Sequence, residues 1–199
     1  MKTQKFNSAK ALTKIILVTV LLIVTGCNSR KENSSGEKKP SSASQKDIKP
    51  PSMDIHTATV MGNLDAIEQH IKAGSDLDKK DDYGSTALIT AAVFGKTEVA
   101  LALIEGGADV NLQNNDGSTP LYCAAFFCRT EIVQALLVKG ADKNIMNNFG
   151  STALESVAGP FKDVKGIYDL FSKELGPLGL KLDYEQIEKI RPVIAEMLR

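Results

Sequence analysis

Apolar residues recur in adjacent pairs four positions apart along three stretches of this 199-residue chain. They are Ala66, Ile67 and Ile71; Val99, Ala100, Leu103 and Ile104; and Ile132, Val133, Leu136 and Leu137. The i, i+1, i+4, i+5 spacing puts each set on one helical face, two residues wide. A second, thinner helix is predicted before each of the last two sets, around Ala91-Ala92 and Ala124-Ala125. The pattern returns every 33 residues: Tyr83-Gly84-Ser85-Thr86-Ala87-Leu88, Asp116-Gly117-Ser118-Thr119-Pro120-Leu121, Phe149-Gly150-Ser151-Thr152-Ala153-Leu154. A fixed period of this length predicts stacked helix pairs instead of one globular core. No single pair can bury a two-wide stripe, so each unit depends on its neighbours.

The polar positions punctuate the stripes. Gly84, Gly117 and Gly150 close tight turns, and Thr86, Thr119 and Thr152 then stand as N-caps of the thin helices. Pro120 fits the first helical position, where a missing N–H costs nothing. Gly62 and Gly95 mark the turn to the second helix, which is predicted to be capped by Asn63, Thr97 and Thr130. Gly74, Gly107 and Gly140 stand where that helix should stop.

Period, turn, Thr-Pro-Leu run, alanine pair and the endings Gly106-Gly107-Ala108-Asp109-Val110-Asn111 and Gly140-Ala141-Asp142-Lys143-Asn144 together resemble the ankyrin-repeat family. The resemblance implies an all-α solenoid of about four helix-turn-helix units, strongest over residues 53–158. It also implies a structural role for His56, the counterpart of the family's turn-linking histidine. Residues 159–199 fit less well. Gly159-Pro160 interrupts the fourth unit, and Ile167, Tyr168 and Phe171 fall about two residues late. Asp183-Tyr184-Glu185-Gln186 resembles a capping box before Ile187, Ile190, Ile194 and Leu198, with a break or kink predicted at Pro192. This segment is read as a degenerate last repeat and a helical C-terminal cap.

The N-terminus follows other rules. Lys2, Lys5, Lys10 and Lys14 precede the apolar run Ile15 to Val24, which is too short to span a bilayer but suits the core of a signal peptide. Val24-Thr25-Gly26-Cys27 then resembles the lipobox of bacterial lipoproteins. That resemblance implies removal of residues 1–26, lipidation of Cys27 and a membrane-anchored envelope protein. Asn28 after the cysteine points to the outer membrane, facing the periplasm. An ordinary cleaved signal or an uncleaved anchor is the plainer alternative. Residues 27–52 are rich in Ser, Lys and Pro and are read as a disordered tether, reaching about 25–30 Å r.m.s..

The formal net charge of zero hides a division. The tether carries six basic and three acidic residues, and residues 53–199 carry 14 basic and 21 acidic, a net −7. An acidic domain argues against nucleic acid. Candidate chemistry is thin. Cys123 and Cys128 are five residues apart, about 7.5 Å of helical rise, which is long for a relaxed disulfide. Asp76, Asp78, Asp81 and Asp82 lack the spacing of a calcium loop, and Asp76 belongs to the repeat. His70 sits on a second helix without an evident partner. No metal, cofactor, small-molecule substrate or catalytic set is expected.

The resemblance also implies the binding face, made of turn tips and the ends of the first helices. The tips are Asp82, Tyr83 and Ser85; Asn115, Asp116 and Ser118; and Asn148, Phe149 and Ser151. The helix ends are Val93, Phe94, Phe126 and Phe127. Tyr83, Phe94, Phe126, Phe127 and Phe149 are five of the eleven aromatics, and exposed aromatics make good anchors. Inward packing of Phe94 and one of Phe126 and Phe127 is the structural alternative. The expected function is non-catalytic protein binding by a lipid-anchored adaptor or regulator at the bacterial cell envelope. The alternatives are a thiol or redox-active protein using Cys123 and Cys128, and an accessory lipoprotein whose basic tether meets lipid or cell wall.

Overall fold

A computed structural model describes residues 49–199. The leader and Cys27 lie outside the described residues, as does all but the end of the tether. Nine α-helices make up the described part, with no strand among the described residues. They are α1 (Ile55–Met61), α2 (Leu64–Lys72), α3 (Ala87–Phe94), α4 (Thr97–Glu105), α5 (Pro120–Phe126), α6 (Thr130–Val138), α7 (Ala153–Ala158), α8 (Phe161–Leu175) and α9 (Tyr184–Leu198).

The thin helices start where the threonines predict. Thr86, Thr119 and Thr152 are extended N-caps whose side chains accept from the N–H groups of Ile89, Tyr122 and Glu155. Glu155 returns a bond to the Thr152 N–H, completing a capping box. Asn63 caps α2 as expected, but Lys96 and Arg129 are the caps of α4 and α6. Thr97 and Thr130 are therefore the first helical residues, not the caps. Neither Lys96 nor Arg129 offers a side-chain acceptor, so these starts rest on packing.

Packing is where the repeat gains its stability. α1, α3, α5 and α7 stack in one layer, and α2, α4 and α6 in a second behind it. Ala91, Ala92, Ala124 and Ala125 are fully buried, which lets α3 and α5 approach closely. Leu103, Ile132, Val133 and Leu136 are also fully buried between units. Each such aliphatic side chain contributes about 1.5–3 kcal/mol by leaving water.

The fourth unit departs from the register. Adding 33 to Thr130 reaches Asp163, which lies in α8, yet α8 does not fill the second layer. α9 does: it packs on α7 as α4 packs on α3, and it flanks α6. Its residues Ile190, Arg191, Ile194, Ala195 and Leu198 repeat the two-wide spacing of Val99, Ala100, Leu103 and Ile104. α8 turns its stripe, Phe161, Val164, Ile167, Tyr168, Phe171 and Leu175, into a separate cluster with Phe126 and Phe127. It is an insertion within the fourth unit, lying against the ends of the first helices. α9 runs through Pro192 as one helix, so of the expected break or kink the break does not occur. The carbonyl that loses its partner there belongs to Glu188, which borders an open cleft where water can serve it.

Candidate protein-binding face

The turn tips are held by a repeated hydrogen-bond device. Asp81 Oδ1 accepts from the N–H groups of Tyr83 and Ser85 at 2.9 and 2.8 Å. Asn114 does the same for Asp116 and Ser118, and Asn147 for Phe149 and Ser151. Such side-chain turns fix the tip without an adjoining sheet. Neighbouring tips are then linked crosswise. The Asn115 N–H donates to the Tyr83 carbonyl at 3.0 Å, and the Asn148 N–H donates to the Asp116 carbonyl at 2.9 Å. Side-chain amides of Asn115 and Asn148 reach the carbonyls of Asp82 and Asn115 at 3.3 and 2.9 Å. Gly84 is required by this closeness: a Cβ there would stand 2.3 Å from Asn115 Oδ1, and its φ is +70°.

Among the nominated tip residues, Asp82, Tyr83, Asn115, Asp116 and Asn148 are exposed, and Ser85, Phe149 and Ser151 are half-buried. Ser118 is buried. The tips thus form a rigid row of acidic, amide and aromatic side chains. Asp81, Asn114 and Asn147 were not nominated from the sequence. Their 33-residue spacing was the available signal.

The helix-end positions tell a different story. Val93 and Phe94 are half-buried, and Phe126 and Phe127 are 7% and 3% exposed. The expectation that Phe126 and Phe127 stand open on this face is corrected, because α8 lies over them. The Phe126 ring stacks on Tyr168 at 4.6 Å between centroids, and Phe127 meets Phe171 edge-on at 5.2 Å. The Tyr168 hydroxyl donates to the Phe126 carbonyl and accepts from Arg191 Nη1 at 3.0 Å. No 33-residue repeat can announce this, since α8 has no counterpart in the other units.

Cys123 and Cys128 are free thiols. Burial pushes Cys123 up to about 12 and Cys128 up to about 11. Neither forms appreciable thiolate near neutral pH. Cys128 takes the slot of Gly62 and Gly95 with a φ of 56°, the one positive value at a non-glycine among the described residues. His70 is buried, with its ring nitrogens 3.0 Å from Ser75 Oγ and 2.8 Å from the Met53 carbonyl. His56 does not link turns: neither ring nitrogen has a hydrogen-bond partner among the described residues. Asp76, Asp109 and Asp142 each accept from the N–H two residues ahead, at 3.0, 2.8 and 2.8 Å. Their carboxylates serve the loop between units.

A family model described as ankyrin repeats, three copies, matches residues 55–154, half of the chain. The protein belongs to the ankyrin-repeat family, and its repeats make it a protein–protein interaction module. The search of curated proteins finds no match.

Proposed function

We propose that this protein is a lipid-anchored adaptor or regulator that holds a partner protein at the bacterial cell envelope, without catalysis of its own. The lipobox-like Val24-Thr25-Gly26-Cys27 supports the anchor, with Cys27 as the lipidated residue and the outer membrane, periplasmic side, as the location. The observation that carries the binding role is the row of turn tips. Asp82, Tyr83, Asn115, Asp116 and Asn148 are exposed side by side on a hydrogen-bonded frame, so binding orders little backbone. A partner with a basic face complements Asp82, Asp116 and the net −7 of residues 53–199.

Affinity capture from native envelope tests this reading. The lipidated protein is compared with a Tyr83→Ala, Asp116→Lys variant, with Phe126 and Phe127 left intact because they support α8. A partner recovered with the first and lost with the second, at an unchanged melting temperature, is the expected result. Equal recovery from the two proteins moves the contact elsewhere, and loss of recovery on deleting residues 28–52 would assign it to the tether. Labelling with palmitate that disappears in Cys27→Ser checks the anchor.

A further inference from the structure

α8 is attached to the stack by side chains, not by close backbone packing. No other described α-helix runs closely along it. Tyr168 is its one buried residue, while Phe161, Val164, Ile167, Phe171 and Leu175 are half-buried. They meet Phe126 and Phe127 in a cluster separate from the main core. The second-layer place of the fourth unit is filled by α9, so the stack is complete without α8.

The local sequence also favours release. Gly159-Pro160 precedes α8 and Gly176-Pro177 follows it, and each pair interrupts helix on that side. Gly166 lies exposed in mid-helix and weakens it. The docked state carries an unbalanced charge besides. Arg191 is 2% exposed, yet no carboxylate lies within ion-pair distance of it among the described residues. Its Nη1 donates to the Tyr168 hydroxyl at 3.0 Å and its Nη2 to the Gly159 carbonyl at 3.1 Å. A buried cation without an opposite charge is costly, and withdrawal of Tyr168 would open it to water.

We propose that α8 is a releasable strap over a second docking surface, Val93, Phe94, Tyr122, Phe126 and Phe127, whose partner is an amphipathic helix. The partner's chemistry is read from α8 itself. The surface holds a helix with aromatic and aliphatic residues at i, i+3, i+7, i+10 and i+14, the positions of Phe161, Val164, Tyr168, Phe171 and Leu175. A hydroxyl at the third of these reaches the Phe126 carbonyl. While docked, α8 keeps this aromatic surface out of water. As a ligand within the same chain, it sets the affinity that a partner must exceed. The proposal rests on the module's protein-binding role, not on the turn tips or the anchor.

The test titrates the whole protein with a fluorescent peptide of residues 161–175, read by anisotropy, beside Tyr168→Phe. The variant's own α8 lacks the hydroxyl that the peptide supplies. The peptide should therefore bind the variant at least ~10-fold more tightly than the unaltered protein. The same peptide with Tyr168→Ala and Phe171→Ala should not bind. Hydrogen exchange of the unaltered protein should show α8 opening before α5 and α9. No saturable binding to the variant, or equal binding of the alanine peptide, overturns the proposal. Exchange of α8 in step with α9 does so too, and that readout does not depend on the variant folding. A dimer of the variant in sedimentation without peptide would give the surface to a second copy and overturn the proposal as well.

Discussion

The third and fourth units begin alike and end differently. Each starts with a threonine-capped first helix, α5 or α7, set 33 residues apart. After α5 the chain turns at Cys128 and enters α6 directly, and the two-wide stripe goes into the second layer. After α7 the chain meets Gly159-Pro160 and makes α8 before α9 takes that layer. The difference teaches that a place in the stack belongs to the helix with the right face, not to the helix at the right distance. α8 packs Val164, Ile167, Tyr168 and Phe171 against Phe126 and Phe127 and leaves Lys165, Gly166 and Asp169 exposed. It can cover a surface but cannot be buried on two sides.

The largest expected contrast is in packing. Leu136→Ala, in the second layer, should cost about 3 kcal/mol of unfolding free energy, because a cavity remains between tightly fitted units. Phe171→Ala, in half-buried α8, should cost less than about 2 kcal/mol although it removes a larger side chain. Urea unfolding of the two variants measures the difference. Equal losses would mean that α8 is as much part of the core as α6.

Tyr168→Phe sharpens the same comparison at one atom. The ring and its stacking on Phe126 remain, while the Phe126 carbonyl loses its donor and Arg191 loses one of its two acceptors. A loss of about 2 kcal/mol is expected, since a buried polar group is left unsatisfied. Hydrogen exchange should quicken in α8 and leave α3 to α6 protected. Uniform quickening through all units would show that α8 and the stack open together.

Alkaline pH gives the most gradual effect, the smallest for any one thiol per pH unit. Cys123 and Cys128 ionise in the folded protein only at about 12 and about 11, against an ordinary 9.0. The folded state therefore holds these protons more tightly than the unfolded chain. The associated stability is complete below pH 9 and is lost as pH rises toward 11–12, by at most about 1.4 kcal/mol per pH unit for each thiol. Denaturation midpoints between pH 8 and pH 11 should fall, and the fall should be shallower in Cys123→Ala. A fast reaction of either thiol with iodoacetamide at pH 7 in the folded state would contradict the burial and revive a redox role.

The sequence by itself determined the regular part. Thr86, Thr119 and Thr152 as caps, the positive-φ turns, the buried alanine pairs and the all-α stack were legible because the same residues return every 33 positions, so each unit meets a like neighbour. The tips were nominated through the family resemblance, and of them Asp82, Tyr83, Asn115, Asp116 and Asn148 are exposed. Tertiary structure alone decided the fourth unit. Arg191 stands in the α9 stripe where α4 has Ala100, so the two-wide pattern was broken by one charged residue. Its burial depends on the Tyr168 hydroxyl and the Gly159 carbonyl, 23 and 32 residues away. Whether Phe126 and Phe127 face solvent was likewise decided by α8, some 35–45 residues further along. Local spacing specifies helices and their faces, but which surface a given face covers is set by contacts that no period records.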